Sequence, residues 1–99
     1  MKKNEIIKDR LEEWVESKGF LSSRFTIIEL CKIIGINRTY LSNYINSTYG
    51  LNFNLWINHL RIEEAKQLMG QTPKRSLSEI AERIGFTDLA HFSKQFKLQ

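Results

Sequence analysis

Two stretches of this chain hold side chains able to read the edges of base pairs. Arg38, Thr39, Tyr40, Ser42, Asn43 and Asn46 interleave with Leu41 and Ile45, and Leu89, Ala90, His91, Lys94 and Lys97 interleave with Phe92 and Phe96. Apolar residues four apart lie on one face of a helix. Leu41 with Ile45, and Phe92 with Phe96, therefore mark buried faces and turn most of the other residues outward. In a major groove Arg pairs with guanine and Asn with adenine, while Ser, Thr, His and Lys hydrogen-bond base edges or phosphates. Ala and Leu can meet a thymine methyl.

Such residues are useful only if each helix is held at a fixed angle, and the chain spells that device twice. Residues 26–37 and 76–87 align without a gap: a hydroxyl residue (Thr26, Ser76) stands three positions before Glu (Glu29, Glu79), and a small residue (Cys31, Ala81) stands four before Gly (Gly35, Gly85). The first spacing is a capping box that starts a helix, and the Gly ends it. An apolar residue (Ile36, Phe86) and a capping residue (Asn37, Thr87) follow at once, so a second helix starts within a short turn. This is the spelling of a helix-turn-helix.

The remaining elements can be placed around these repeats. Ile6, Ile7, Leu11, Trp14 and Val15 recur at helical spacing and predict a first amphipathic helix that stops at Gly19. Helices are expected over 26–34 and 37–49, the latter closed by Gly50. A longer one follows over 52–70, with Phe53, Trp56, Leu60, Ala65, Leu68 and Met69 along one broad face and a length of about 26 Å. A loop containing Pro73, the only proline, leads to helices over 76–84 and 87–97. No alternating strand pattern occurs, so the expected fold is all-α: two helix-turn-helix subdomains joined by a long linker helix, six to seven helices in all. The expected division is 1–51, linker 52–70, and 71–99.

Composition narrows the classes of function. With 99 residues, 41% of them hydrophobic, the chain can bury one compact core, and its net charge of +4 allows an anionic partner. The distribution of charge says more than the sum. No carboxylate occurs from Leu30 to Ile62, whereas Lys32, Arg38 and Arg61 lie there, as a surface approaching phosphates requires. A single cysteine excludes a disulfide framework and a multi-Cys zinc site, in keeping with a reducing bacterial cytoplasm. Met1-Lys2-Lys3 is followed by no apolar run, so neither a secretory leader nor a membrane contact is expected from this segment.

The stretch Ile80-Ala81-Glu82-Arg83-Ile84-Gly85-Phe86, continuing to Phe92 and Phe96-Lys97, resembles the signature of AraC/XylS-type transcription regulators. Leu60-Arg61-Ile62 and Ala65-Lys66-Gln67-Leu68-Met69 are similar to that family's linker helix, and Gly50-Leu51-Asn52-Phe53 to its entry. The resemblance runs from about Ile6 to Lys97. It implies a C-terminal DNA-binding domain that places two helices in adjacent major grooves of double-stranded DNA. It further implies a sensor or dimerisation region elsewhere in a longer protein and allows RNA polymerase as a partner. Three departures stand out. Ala90 replaces a frequent Ser, Cys31 replaces the usual Ala, and the chain stops at Gln99 where the family continues into a Gly, Pro and Tyr-Arg segment, so a C-terminally truncated second subdomain is expected.

A helical protein–protein interaction module on the same fold is the alternative, and it would show apolar residues on the outer face of residues 37–49, where Arg38, Ser42, Asn43 and Asn46 stand instead. Cys31 with His59 or His91 suggests a nucleophile and base. Cys31, however, occupies the slot that Ala81 fills in the second copy, and Leu30, Ile33 and Ile34 place it on a buried side, so no catalysis, metal or cofactor is expected. Trp14 and Trp56 lie on apolar stripes and are expected in the core. Arg61 is read as a structural ion pair in preference to a phosphate contact.

Overall fold

The computed structural model describes residues 3–71, 74–86 and 89–98. Every regular element among them is helical. The expected loop at Pro73 and the expected helix start at Thr87 lie outside the described residues.

The first helix, α1, spans Lys3–Glu16 and buries Ile7, Leu11 and Trp14 at spacings of one turn. It ends before Gly19, contrary to expectation. The left-handed residue that turns the chain is Lys18, at φ 61°, and a short 3₁₀ turn, Gly19–Leu21, follows. Gly19 is needed for a different reason: a Cβ there would overlap the indole of Trp14. Trp14 is the centre of an aromatic cluster, with ring centroids 5.2 Å from Phe25, 5.9 Å from Trp56 and 6.3 Å from Phe20.

Helix α2 (Ile27–Ile34) is capped by Thr26, whose Oγ1 accepts the Glu29 N–H at 3.3 Å and donates to the Glu29 carboxylate at 3.2 Å. Helix α3 (Arg38–Tyr49) is capped by Asn37, and α4 (Phe53–Met69) by Asn52; each side-chain oxygen accepts an N–H of the first turn. Helix α5 (Leu77–Arg83) repeats the first device, with Ser76 accepting from Glu79 at 3.2 Å, and α6 spans Leu89–Leu98.

Burial divides into two clusters strung along a molecule of 44 × 23 × 20 Å. The first joins Ile7, Leu11 and Trp14 to Phe20, to Leu30, Cys31 and Ile34 of α2, to Leu41 and Ile45 of α3, and to Phe53, Trp56 and Ile57 at the start of α4. The second joins Ile62 and Ala65 of α4 to Ile80, Ala81, Ile84, Phe86 and Phe92. Each fully buried aliphatic or aromatic side chain contributes about 1.5–3 kcal/mol.

Helix α4 therefore carries two apolar stripes in place of the single broad face expected. Successive residues turn by about 100°, which puts Phe53, Trp56 and Ile57 on one side and Ile62, Ala65 and Met69 well around the axis. Leu60, Leu68 and Met69 are only partly buried, while Arg61 is buried between the stripes and Glu64 on the side of the first, about two turns beyond Ile57. Burial of two charged residues requires partners. Arg61 donates from Nε to the Phe20 carbonyl at 2.7 Å and from Nη2 to the Ser22 carbonyl at 2.8 Å, and Glu64 accepts from Lys18 at 2.8 Å. The structural reading of Arg61 thus holds, but with carbonyl oxygens in place of the expected carboxylate. Its burial pulls the guanidinium below its usual pKa.

Candidate nucleic-acid interface

The angle of α3 is set by the end of α2. Gly35 takes the left-handed conformation at φ 85°, and both its N–H and that of Ile36 return to the Cys31 carbonyl, at 2.8 and 3.2 Å. Both bonds fall on that one carbonyl at the end of the helix, and they turn the chain toward Asn37. In the second copy the N–H of Phe86 returns to Ala81 at 3.0 Å, with Gly85 at φ 89°. Cys31 and Ala81 are both buried at these matched turns. Ile33, expected on the same buried side as Cys31, is 55% exposed instead, because the buried stripe of α2 runs through Leu30, Cys31 and Ile34.

Leu41 and Ile45 are fully buried, which fixes what α3 shows to solvent. Arg38, Thr39, Asn43 and Asn46 are exposed and Ser42 half-buried, and Arg38, Thr39, Ser42 and Asn43 line one concavity. Asn46 is partly engaged at home, its Nδ2 donating to the Ser42 carbonyl at 3.0 Å. Tyr40 stands apart from this group. Its hydroxyl donates to Asn4 Oδ1 at 2.7 Å and the Lys3 ammonium sits 4.1 Å above its ring, so it ties α3 to the start of α1.

The first turn of α3 contains no carboxylate and begins with Arg38. A cation at a helix N-terminus is unfavourable by a few tenths to about 1 kcal/mol, a cost that an approaching anion reverses. Around Arg38 the fold gathers more of the same polarity. Thr26 and Ile27 at the start of α2, Arg38 and Ser42 of α3, and Asn52, Phe53 and Asn54 at the start of α4 line one open groove. Thr26 was expected only as a helix cap, Asn52 only in the entry to the linker helix, and Asn54 not at all. Thr26 and Asn52 are helix caps, but nothing local says that the starts of α2, α3 and α4 converge.

On α6, Phe92 is buried and Phe96 partly so, while Ala90, His91, Lys94 and Lys97 are exposed. The His91 ring meets Phe86 edge-on, with centroids 5.2 Å apart at 71°, so the turn itself orients this side chain. Helix α6 includes Leu89, the other residue expected to read bases. Among the described residues, no group of three His, Cys, Asp or Glu side chains could hold a metal, and no helix is long and apolar enough to cross a membrane.

Two helix-turn-helix units, each with a polar outward face on its second helix, define the class to which this fold belongs. Comparison with known proteins agrees. Residues 30–99 match the family model described as a helix-turn-helix domain. The chain is 33% identical over 76 residues to the raffinose operon transcriptional regulatory protein RafR of Pediococcus pentosaceus, which covers 77% of this chain but 27% of RafR. Its fold is similar to the C-terminal domain of the two-component response regulator yesN from Fusobacterium nucleatum, with a TM-score of 0.78, 30% identity and 92% of each chain covered. It also superposes on the DNA-binding domain of AdpA, solved in complex with a target DNA, at a TM-score of 0.78, with 22% identity over 94% of this chain and 80% of that one. The chain belongs to the AraC-type helix-turn-helix family of DNA-binding transcription regulators. It spans about a quarter of the length of RafR.

Proposed function

We propose that this chain is the DNA-reading part of a transcription regulator and lays α3 and α6 into successive major grooves of one duplex. The observation that carries the reading is the outer face of α3: carboxylate-free, headed by Arg38, and bordered by the starts of α2 and α4. Arg38, Thr39, Ser42, Asn43 and Asn46 read bases from α3, with Tyr40 holding that helix against α1. Leu89, Ala90, His91, Lys94 and Lys97 serve α6, the lysines toward phosphates. The starts of α2 and α4 offer backbone N–H groups to the same phosphate backbone. The division into residues 1–51, linker 52–70 and 71–99 follows from the same reading.

The face of α3 disfavours a protein-interaction module. Among the described residues, the large apolar side chains left exposed, Ile28, Ile33, Leu55 and Leu77, all lie off α3, and Tyr49 at its end is stacked on Trp56 at 5.0 Å. No residue is assigned to catalysis or to a cofactor. A sensor or dimerisation region elsewhere in a longer protein would supply the signal, RNA polymerase is a further partner, and the cytoplasm is the site of action.

The test is binding of the chain to duplexes enriched from a random pool, followed across salt concentrations. Each phosphate contact should contribute about −0.9 to the slope of log affinity against log salt. A handful of contacts gives a steep line. A flat one, or a pool that yields no preferred sequence, defeats the proposal.

A further inference from the structure

The turn at Lys18–Ser22 is held from three directions. Arg61 grips the carbonyls of Phe20 and Ser22, at 2.7 and 2.8 Å. Glu64, 7% exposed, pairs with Lys18 at 2.8 Å. Leu21 packs against both hydrophobic clusters, and its carbonyl lies so close to Gly85 that a Cβ there would come within 2.6 Å. The turn is thus wedged between α4 and the α5–α6 corner, although in sequence it belongs to the first helix-turn-helix. Lys18 reaches Glu64 from a left-handed backbone at φ 61°, a conformation that disfavours any residue with a Cβ.

Helix α4 alone fixes how far apart the two clusters sit along its axis. It does not prevent either from rocking about that axis, because each is packed on its own stripe. A second contact, off the axis, is needed to block rotation. The wedged turn is that contact, and it is the segment of α1's connection to α2 that reaches both clusters.

We infer that this turn is the device that fixes the relative angle of the two reading helices about α4, and with it their spacing on a duplex, with Lys18 and Glu64 as positioning residues for DNA recognition. The inference rests on the proposed reading of DNA by α3 and α6. Neither side chain need touch DNA. Each acts through the turn, and so through the angle at which α6 is presented once α3 is seated.

The double variant Lys18→Met/Glu64→Gln removes the pair and keeps the net charge, so the phosphate attraction is unaltered. The original chain should enrich duplexes with two preferred segments at one separation, and should bind duplexes lengthened or shortened by one base pair about tenfold more weakly, since a displaced helix forfeits its base contacts. The variant should enrich the same two segments over a spread of separations and lose about threefold or less on the altered duplexes. Should the variant lose its helical circular dichroism, Lys18→Gly, whose backbone suits the left-handed turn, carries the test: its lost cation weakens all duplexes alike, and the same spread of separations is expected. A folded variant that keeps the original separation and the tenfold penalty overturns the positioning role while leaving DNA reading intact. If the original chain itself enriches no duplex, both the DNA reading and the inference built on it fall.

Discussion

Arg10 donates from Nη1 to the carbonyl oxygen of Ile34 at 2.5 Å, so a side chain of α1 closes the open end of α2. The guanidinium also faces the negative end of that helix, where a cation is favourable. Arg10→Ala should destabilise the fold by about 1–2 kcal/mol, less than a fully buried charged hydrogen bond because this one is partly solvated. Urea unfolding followed by circular dichroism measures it. An unchanged midpoint would show that water replaces the guanidinium at no cost.

Gly50 and Gly85 both occupy the left-handed region, at φ 70° and 89°, but in unlike surroundings. A Cβ on Gly50 meets nothing within 4 Å, so Gly50→Ala should cost only the conformational strain of about 1–2 kcal/mol. At Gly85 the same Cβ would come within 2.6 Å of the Leu21 carbonyl, which is backbone and cannot swing away. Gly85→Ala should therefore cost clearly more, about 3 kcal/mol or above. Comparable melting temperatures for the two variants would contradict the packing at Leu21.

Cys31 is buried among Leu30, Ile34 and the rest of the first cluster, and Ala81 fills its place in the second copy. Cys31→Ala should keep the fold and DNA binding and change stability by about 1 kcal/mol or less. A thiol reagent should label the native chain far more slowly than the unfolded one. Fast native labelling would place the sulfur at the surface.

The two reading helices should divide the work unequally. Arg38 and Asn43 of α3 are the side chains suited to guanine and adenine, while α6 offers Ala90, His91 and Lys94. Asn43→Ala should cost about 1–3 kcal/mol on a preferred duplex and relax the preference at one position, whereas Lys94→Ala should weaken binding to all sequences alike. Selections on the two variants decide the matter, and Lys94 governing sequence choice would reverse the assignment.

What could be read from the residues alone was what is local. The capping pairs Thr26–Glu29 and Ser76–Glu79, the glycine turns at Gly35 and Gly85, and the inward faces of Leu41, Ile45 and Phe92 all depend on neighbours within about one helical turn. What escaped depends on distant partners. Lys18 takes the left-handed place that Gly19 was expected to hold, and its partner Glu64 is on α4. The two stripes of α4 blur any single periodicity, so Ile57, Arg61 and Glu64 gave no signal of burial. The groove around Arg38 needs Thr26, Ser42 and Asn52 together, and only the folded chain brings α3 and the starts of α2 and α4 to one place.

The sharing of α4 and Leu21 by both clusters has a thermodynamic consequence. A helix whose first half anchors one cluster and whose second half anchors the other cannot melt in the middle without loosening both. Amide protons in the central turns of α4, around Ile57–Ile62, should accordingly be among the last to exchange with solvent, at a free energy close to that of global unfolding. The chain should then lose its helices in one cooperative transition, with no stable species that keeps one reader and discards the other.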